Sequence, residues 1–178
     1  MRLTRPTVAA SLAALLLLSG CGTGADSAGG TAAGASPTAF TCPTESTQTF
    51  SKARFVLNVG LAAGAFHQWI WKPYQAGGFK QGADGRTANL VKAGLAAAFA
   101  AKQLKDASDN VKNDPQLCAA LGEPLARLGT TLDELKGKLA SGDLSSLASI
   151  EALVASVLGA AQSQGLKIVE QTPESLVG

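Results

Sequence analysis

The stretch Phe66-His67-Gln68-Trp69-Ile70-Trp71-Lys72-Pro73-Tyr74 holds both tryptophans, the one tyrosine, the one histidine and one of six phenylalanines in a chain of 178 residues. Elsewhere the chain is mostly Ala, Leu, Gly and small polar residues. Aromatic side chains bury large areas and dominate core energetics, so packing energy is concentrated here. Upstream, Phe55, Val59, Ala62, Ala63, Phe66 and Ile70 recur at three- and four-residue steps, the spacing of one helix face. Trp69 falls on a neighbouring line of that surface. Pro73 has no N–H and restricts Lys72, which predicts a helix from about Thr49 to Lys72. Two readings of its aromatic end follow. In one, the last turn plugs one end of a bundle. In the other, His67, Trp69, Trp71, Tyr74 and Phe79, beside Lys72 and Lys80, form a binding site or a patch at a membrane–water boundary.

Three more helices are predicted downstream. Arg86 to Val111 carries Ala93, Ala97 and Ala101 at steps of four, with Gly94 and Ala98 likewise, while Leu90, Leu95, Phe99 and Leu104 supply bulk. The small residues complement a small-xxx-small pair on the first helix, Gly60 and Gly64. Two mid-helix glycines each cost about 1 kcal/mol relative to Ala, so a close-packed neighbouring helix is expected at that groove. On this reading Gly60→Leu costs several kcal/mol through overpacking. The third helix opens on Asp114 as cap and Pro115 at the first helical position. Its Leu121, Leu125, Leu128, Leu132, Leu135 and Leu139 make a sustained apolar stripe, with a kink or interruption expected at Gly122 and Pro124. The fourth begins after Asp143, carries Leu147, Ile150, Val154, Val157 and Ala161, and stops at Gly165. Pro73 to Gly85 is a loop that Tyr74 and Phe79 turn into a cap over the bundle end. No run shows sustained strand alternation. The expected fold is all-α, an up-down-up-down four-helix bundle over residues 40–170, with a C-terminal tail over 171–178 whose approach, Ile168 and Val169, docks on the bundle.

The N-terminus reads as an export signal over residues 1–20. Arg2 and Arg5 precede an apolar run, Val8 to Leu18, too short for an ordinary spanning helix. It ends in Leu18-Ser19-Gly20-Cys21, which resembles the lipobox of bacterial lipoproteins. That resemblance implies cleavage before Cys21, a diacylglycerol on its sulfur and fatty acylation, such as palmitate, of the new N-terminus. Two or more acyl chains give the stable anchor that one chain does not. Residues 21–39, rich in Gly, Ala, Ser and Thr, are expected to form a disordered tether. The expected location is therefore the outer face of the cytoplasmic membrane, with the membrane itself as partner through the lipid.

Composition narrows the function classes. The chain has fifteen basic and thirteen acidic residues. Loss of Arg2 and Arg5 leaves thirteen of each, so the mature chain is about neutral and unsuited to nucleic acid. With Cys21 assigned to lipid, Cys42 and Cys118 remain as an even pair in an oxidising compartment, a disulfide with two free thiols as the alternative. Such a bridge stabilises by about 4–5 kcal/mol in the chain-entropy model. His67 has no second histidine, no H-E-x-x-H and no E-x-x-H beside it, so no metal or cofactor is expected and the ring reads as a hydrogen-bonded residue at a core edge. No nucleophile–His–acid grouping, phosphate loop or acid/base pair of carboxylates stands out, so no catalytic residues are assigned.

The F-H-x-W-I-W-K-P-Y helix end and the D-P-x-L-C helix start resemble secreted or lipid-anchored helical proteins of actinobacteria, and that resemblance brings no catalytic residues. The expectation is a non-enzymatic envelope module that binds a partner protein or a small hydrophobic ligand. The alternative is a peripheral protein that inserts its Trp69, Trp71 and Tyr74 end into the membrane interface.

Overall fold

The computed structural model describes residues 41–173. The expected export signal over 1–20, the expected lipidation at Cys21, the whole of the expected tether over 21–39 and the last five residues lie outside the described residues. Four long helices make the fold: α1 (Ser51–Phe66), α3 (Arg86–Val111), α4 (Pro115–Ser141) and α5 (Leu147–Ser163). A π-helical turn, His67–Trp71, and a short α2, Lys72–Gln75, extend α1 without a break. Among the described residues there is no strand, and no helix is long and apolar enough to cross a membrane.

Successive helices pack on one another, α1 with α3, α3 with α4 and α4 with α5. Short turns between the last three are compatible with an up-down-up-down order. All six leucines of the α4 stripe are buried, as are Leu147, Ile150, Val154, Val157 and Ala161 on α5. Residues of α1, α3, α4 and α5 meet around an apolar void of about 10 Å³ between Phe66, Leu104, Leu132 and Val157. That is at most the room of one water molecule, and its walls offer no polar partner, so it is dry. A ligand inside the bundle has no room in this packing.

Local chemistry places most boundaries. Asp114 caps α4 by accepting from the N–H of Gln116 at 3.0 Å and of Leu117 at 3.1 Å. Gly142, in the left-handed region, ends α4, with the Gly142 N–H on Leu139 and the Asp143 N–H on Lys138. Of the kink or interruption expected at Gly122 and Pro124, the interruption does not occur: Pro124 sits inside α4, which runs as one helix from Pro115 to Ser141. Asp143 is not the cap of α5. Its carboxylate accepts from Ser145 N at 3.0 Å in a turn, and the helix starts only at Leu147.

Two expectations fail for reasons of packing. The buried face of α3 is alanine, with Ala93, Ala96, Ala97, Ala100 and Ala107 fully enclosed beside Leu104. Leu95 is 42% exposed, and Leu90 and Phe99 are only half-buried. Alanine lets α1 and α3 approach closely, which leaves no space between them for bulk. The first helix also does not end before Pro73. A prolyl ring in a regular helix clashes with the carbonyl four residues back and leaves it unbonded. Here the ladder has already shifted, because Lys72 N–H bonds to the His67 carbonyl five residues back, and the wider turn lets the helix carry Pro73 on to Gln75.

The chain enters the bundle at the foot of α1. Cys42 is bonded to Cys118 with Cα atoms 5.5 Å apart. Thr47 N–H donates to the Asn113 carbonyl at 3.0 Å, and Lys52 pairs with Asp114 at 3.6 Å.

Candidate functional site

The helical period distributes the aromatic stretch over three faces of the α1 extension. Phe66 and Ile70 point inward and are buried. Trp69 lies half-buried toward α3, where the Lys92 ammonium stands 5.6 Å from its ring centroid, within the range of a cation–π attraction. Its indole N–H is buried and makes no hydrogen bond, although buried tryptophans usually find an acceptor.

Trp71 and Tyr74 occupy the third face. A file of rings runs outward from the core: His67 lies 5.6 Å from Phe66, Phe66 stacks on Trp71 at 6.3 Å, and Trp71 stacks on Tyr74 at 5.6 Å. The file starts at a ring 1% exposed and ends at one 37% exposed. Phe79 does not join it. It is buried under the loop that follows α2, with its carbonyl held by Arg86 Nε at 2.9 Å, so it acts as the cap. Of the five residues of the candidate surface, the structure therefore brings His67, Trp71 and Tyr74 to one side, sets Trp69 on another and encloses Phe79.

His67 is the chemical centre of that side. Its Nε2 lies 2.8 Å from Glu151 Oε2, on α5, and its Nδ1 lies 2.8 Å from Glu170 Oε2, in the segment beyond α5. Ionised carboxylates only accept hydrogen bonds, so both contacts are satisfied together when both ring nitrogens carry protons. Burial alone would lower the His67 pKa. The hydrogen bonds and charges of Glu170 and Glu151 outweigh it and raise the pKa above its ordinary value. The two carboxylates approach different nitrogens and converge on the ring from separate sides. Among the described residues no group of three or more His, Cys, Asp and Glu side chains could hold a metal ion.

Sequence reasoning missed both partners. Glu151 follows the buried Ile150 on the edge of the apolar line of α5. Glu170 stands two residues beyond Ile168, in step with Leu166 and Ile168, and this alternation in the tail was the available signal.

The Gly60 and Gly64 groove is real, but its occupant is not a helix. A Cβ at Gly60 would collide with the carbonyl oxygen of Val169, and one at Gly64 with that of Gln171. Gln171 N–H donates to the Gly60 carbonyl at 3.0 Å. The glycines admit the backbone of the C-terminal segment between α1 and α5. Ile168 packs against the core as expected, whereas Val169 is 68% exposed.

A second depression, an open groove of about 500 Å³ between α3 and α4, is lined by Lys102, Lys105, Lys112 and Lys136. Each of these lysines pairs with an aspartate three or four positions away along the chain, the ordinary arrangement of a solvated face. No family model matches this chain, and no characterised protein or solved structure matches it significantly.

Proposed function

We propose that this chain is a lipid-anchored, extracytoplasmic helical bundle that binds a partner protein and catalyses nothing, with Trp71 and Tyr74 at its contact surface and Cys21 as the lipidated residue. The observation that carries the reading is the ring file from Phe66 to Tyr74. A bundle end built only as core would enclose its aromatics, as it does Phe79, whereas the file continues outward through a half-buried Trp71 to an exposed Tyr74 stacked on it. Tyr and Trp offer large contact area at small entropic cost, which suits a recognition surface. The state of His67 supports binding over catalysis, because a ring with both nitrogens engaged by carboxylates is not free to act as a base.

Insertion into the membrane interface is the second reading, favoured by Lys72 and Lys80 near the same rings. The chain enters the bundle at the other end of α1. Cys42, Thr47 and Lys52 fix the foot of α1, and Trp71 lies twenty residues above Ser51, about 30 Å along a helical axis. The aromatic end is thus remote from Cys42, and a flexible tether would leave either end free to face the membrane.

The test uses the unlipidated mature chain with liposomes, and cell-surface crosslinking of the lipidated one. The binding reading expects no sedimentation with liposomes and a specific crosslinked protein that Trp71→Ala with Tyr74→Ala removes. Sedimentation abolished by the same pair of changes overturns it in favour of insertion. A Cys21→Ser chain that stays in the membrane fraction would refute the anchor.

A further inference from the structure

The segment after α5 is held in the way an extended peptide ligand is held. Gly165, in the left-handed region, reverses the chain: the Gly165 N–H bonds to Gln162 and the Leu166 N–H to Ala161, a Schellman motif. From there the side chains alternate. Leu166 and Ile168 pack on the core, and Glu170 reaches His67, while Lys167 and Val169 face solvent. The backbone lies on two glycines of α1 and makes one hydrogen bond to that helix, from Gln171 to Gly60. Extended peptides are recognised through this combination, with main-chain contacts giving affinity and pockets for alternate side chains giving specificity.

The hold is slight for a covalent part of a fold. It consists of two half-buried aliphatics, one backbone bond and one carboxylate on an imidazolium. A tethered segment needs no more, because its linker gives it a high effective concentration. The floor of the groove contacts backbone, so it does not dictate the outward-facing residues. The groove reads an aliphatic residue, a second one two positions later, and a carboxylate two positions after that.

We propose that the seam between α1 and α5 is a binding site for an extended segment of a partner protein with the pattern aliphatic–x–aliphatic–x–Glu, and that residues 166–171 are its resident, displaceable occupant. Gly60 and Gly64 form the floor and His67, oriented by Glu151, reads the carboxylate. Displacement releases the chain's own tail from Gly165 onward, so the site is closed until a competing segment arrives. A partner segment that makes further contacts along the rim outcompetes the tail, whereas the same tail from a second copy brings no advantage over the one already attached.

The experiment follows the amide signals of Gly60 and Gly64 in the 15N-labelled full chain as an unlabelled peptide of sequence Leu166–Pro173 is added up to millimolar concentration. The Glu170→Gln chain, whose tail has lost its charge, is expected to bind this peptide roughly tenfold more tightly than the wild-type chain, the effect of one charge-assisted hydrogen bond. The same peptide with glutamine at the glutamate position is expected to bind the Glu170→Gln chain roughly tenfold more weakly than the parent peptide. Adding Gly64→Leu to Glu170→Gln should abolish binding. Glu170 is exposed, so its variant keeps the fold. Unmoved glycine signals in the Glu170→Gln chain overturn the proposal, as does equal affinity for the two peptides. Dimerisation of the Glu170→Gln chain without peptide, seen by sedimentation, also overturns it, because the occupant is then another copy. None of these outcomes bears on the Trp71 and Tyr74 surface, which is tested separately.

Discussion

His67 and Glu170 stand 103 residues apart in sequence, and their Nδ1 and Oε2 atoms stand 2.8 Å apart in the fold. With Glu151 on the other ring nitrogen, this contact joins the end of α1 to α5 and to the segment beyond it. It also makes docking of that segment sensitive to protons.

The first prediction concerns pH. The His67 pKa is raised above 6.5 in the folded chain. A raised folded value means that the native state holds the proton more tightly than the unfolded state. Its stabilisation is fully present below the unfolded value and is lost as pH rises through the folded one. Loss of the ring proton leaves one of the two carboxylates facing a nitrogen lone pair. Urea denaturation at about pH 6 and about pH 9 should show a larger drop in stability for the wild type than for His67→Gln. Equal drops would mean that the proton on His67 contributes nothing to folding.

The second concerns Gly64. Its Cβ would meet the carbonyl of Gln171, in the segment we propose to be displaceable. Gly64→Ala gains about 1 kcal/mol of helix propensity and forfeits the tail contacts. We expect overall stability to change by less than about 1 kcal/mol. Amide exchange of residues 169–171 should nevertheless accelerate, with new proteolytic cleavage after Gly165. A large drop in melting temperature without that cleavage would show that the groove is part of the rigid core.

The third concerns the disulfide. Cys42 and Cys118 close a loop spanning 76 residues, so reduction should lower stability by up to about 4–5 kcal/mol. Thermal melts with and without reductant measure it. The Cys42→Ser and Cys118→Ser double variant should match the reduced wild type.

The fourth concerns Phe50. It has a φ of 68°, is the one non-glycine residue in the left-handed region among the described residues, and is 73% exposed at the start of α1. A phenylalanine there costs roughly 1–2 kcal/mol and buries little to offset it. Asparagine occupies this backbone region more readily than phenylalanine, so Phe50→Asn relieves the strain. It should raise the midpoint of denaturation. A fall would imply that the Phe50 ring makes contacts worth more than the backbone strain.

Much of the fold was legible because local chemistry and periodicity agreed. Asp114-Pro115 started α4, the six leucines from Leu121 to Leu139 fixed its inner face, and Gly165 marked the end of α5. The bulk on α3 was misjudged because tight approach to α1 rewards Ala96 and Ala100 over Leu95, a tertiary demand that composition does not announce. The π turn is a compromise between Pro73 and a helix that packing keeps going, and proline chemistry alone predicted a stop. The His67 cluster was hidden for another reason. Its three members come from α1's extension, from α5 and from the tail, and no short-range spacing links residues separated by 84 and 103 positions. The aromatic stretch was visible at once, but which ring would stay outside depended on the 37% exposure of Tyr74 against the 5% of Phe79.

The Cys42–Cys118 bond also decides where mechanical load travels. A pull arriving through residues ahead of Cys42 enters the first turn of α4 at Cys118, bypassing Ser51 and the opening turn of α1. For tension drawn between that side and the C-terminal helices, the covalent path skips the whole of α1 and α3, which are loaded only when the pull is exerted at Trp71 and Tyr74 themselves.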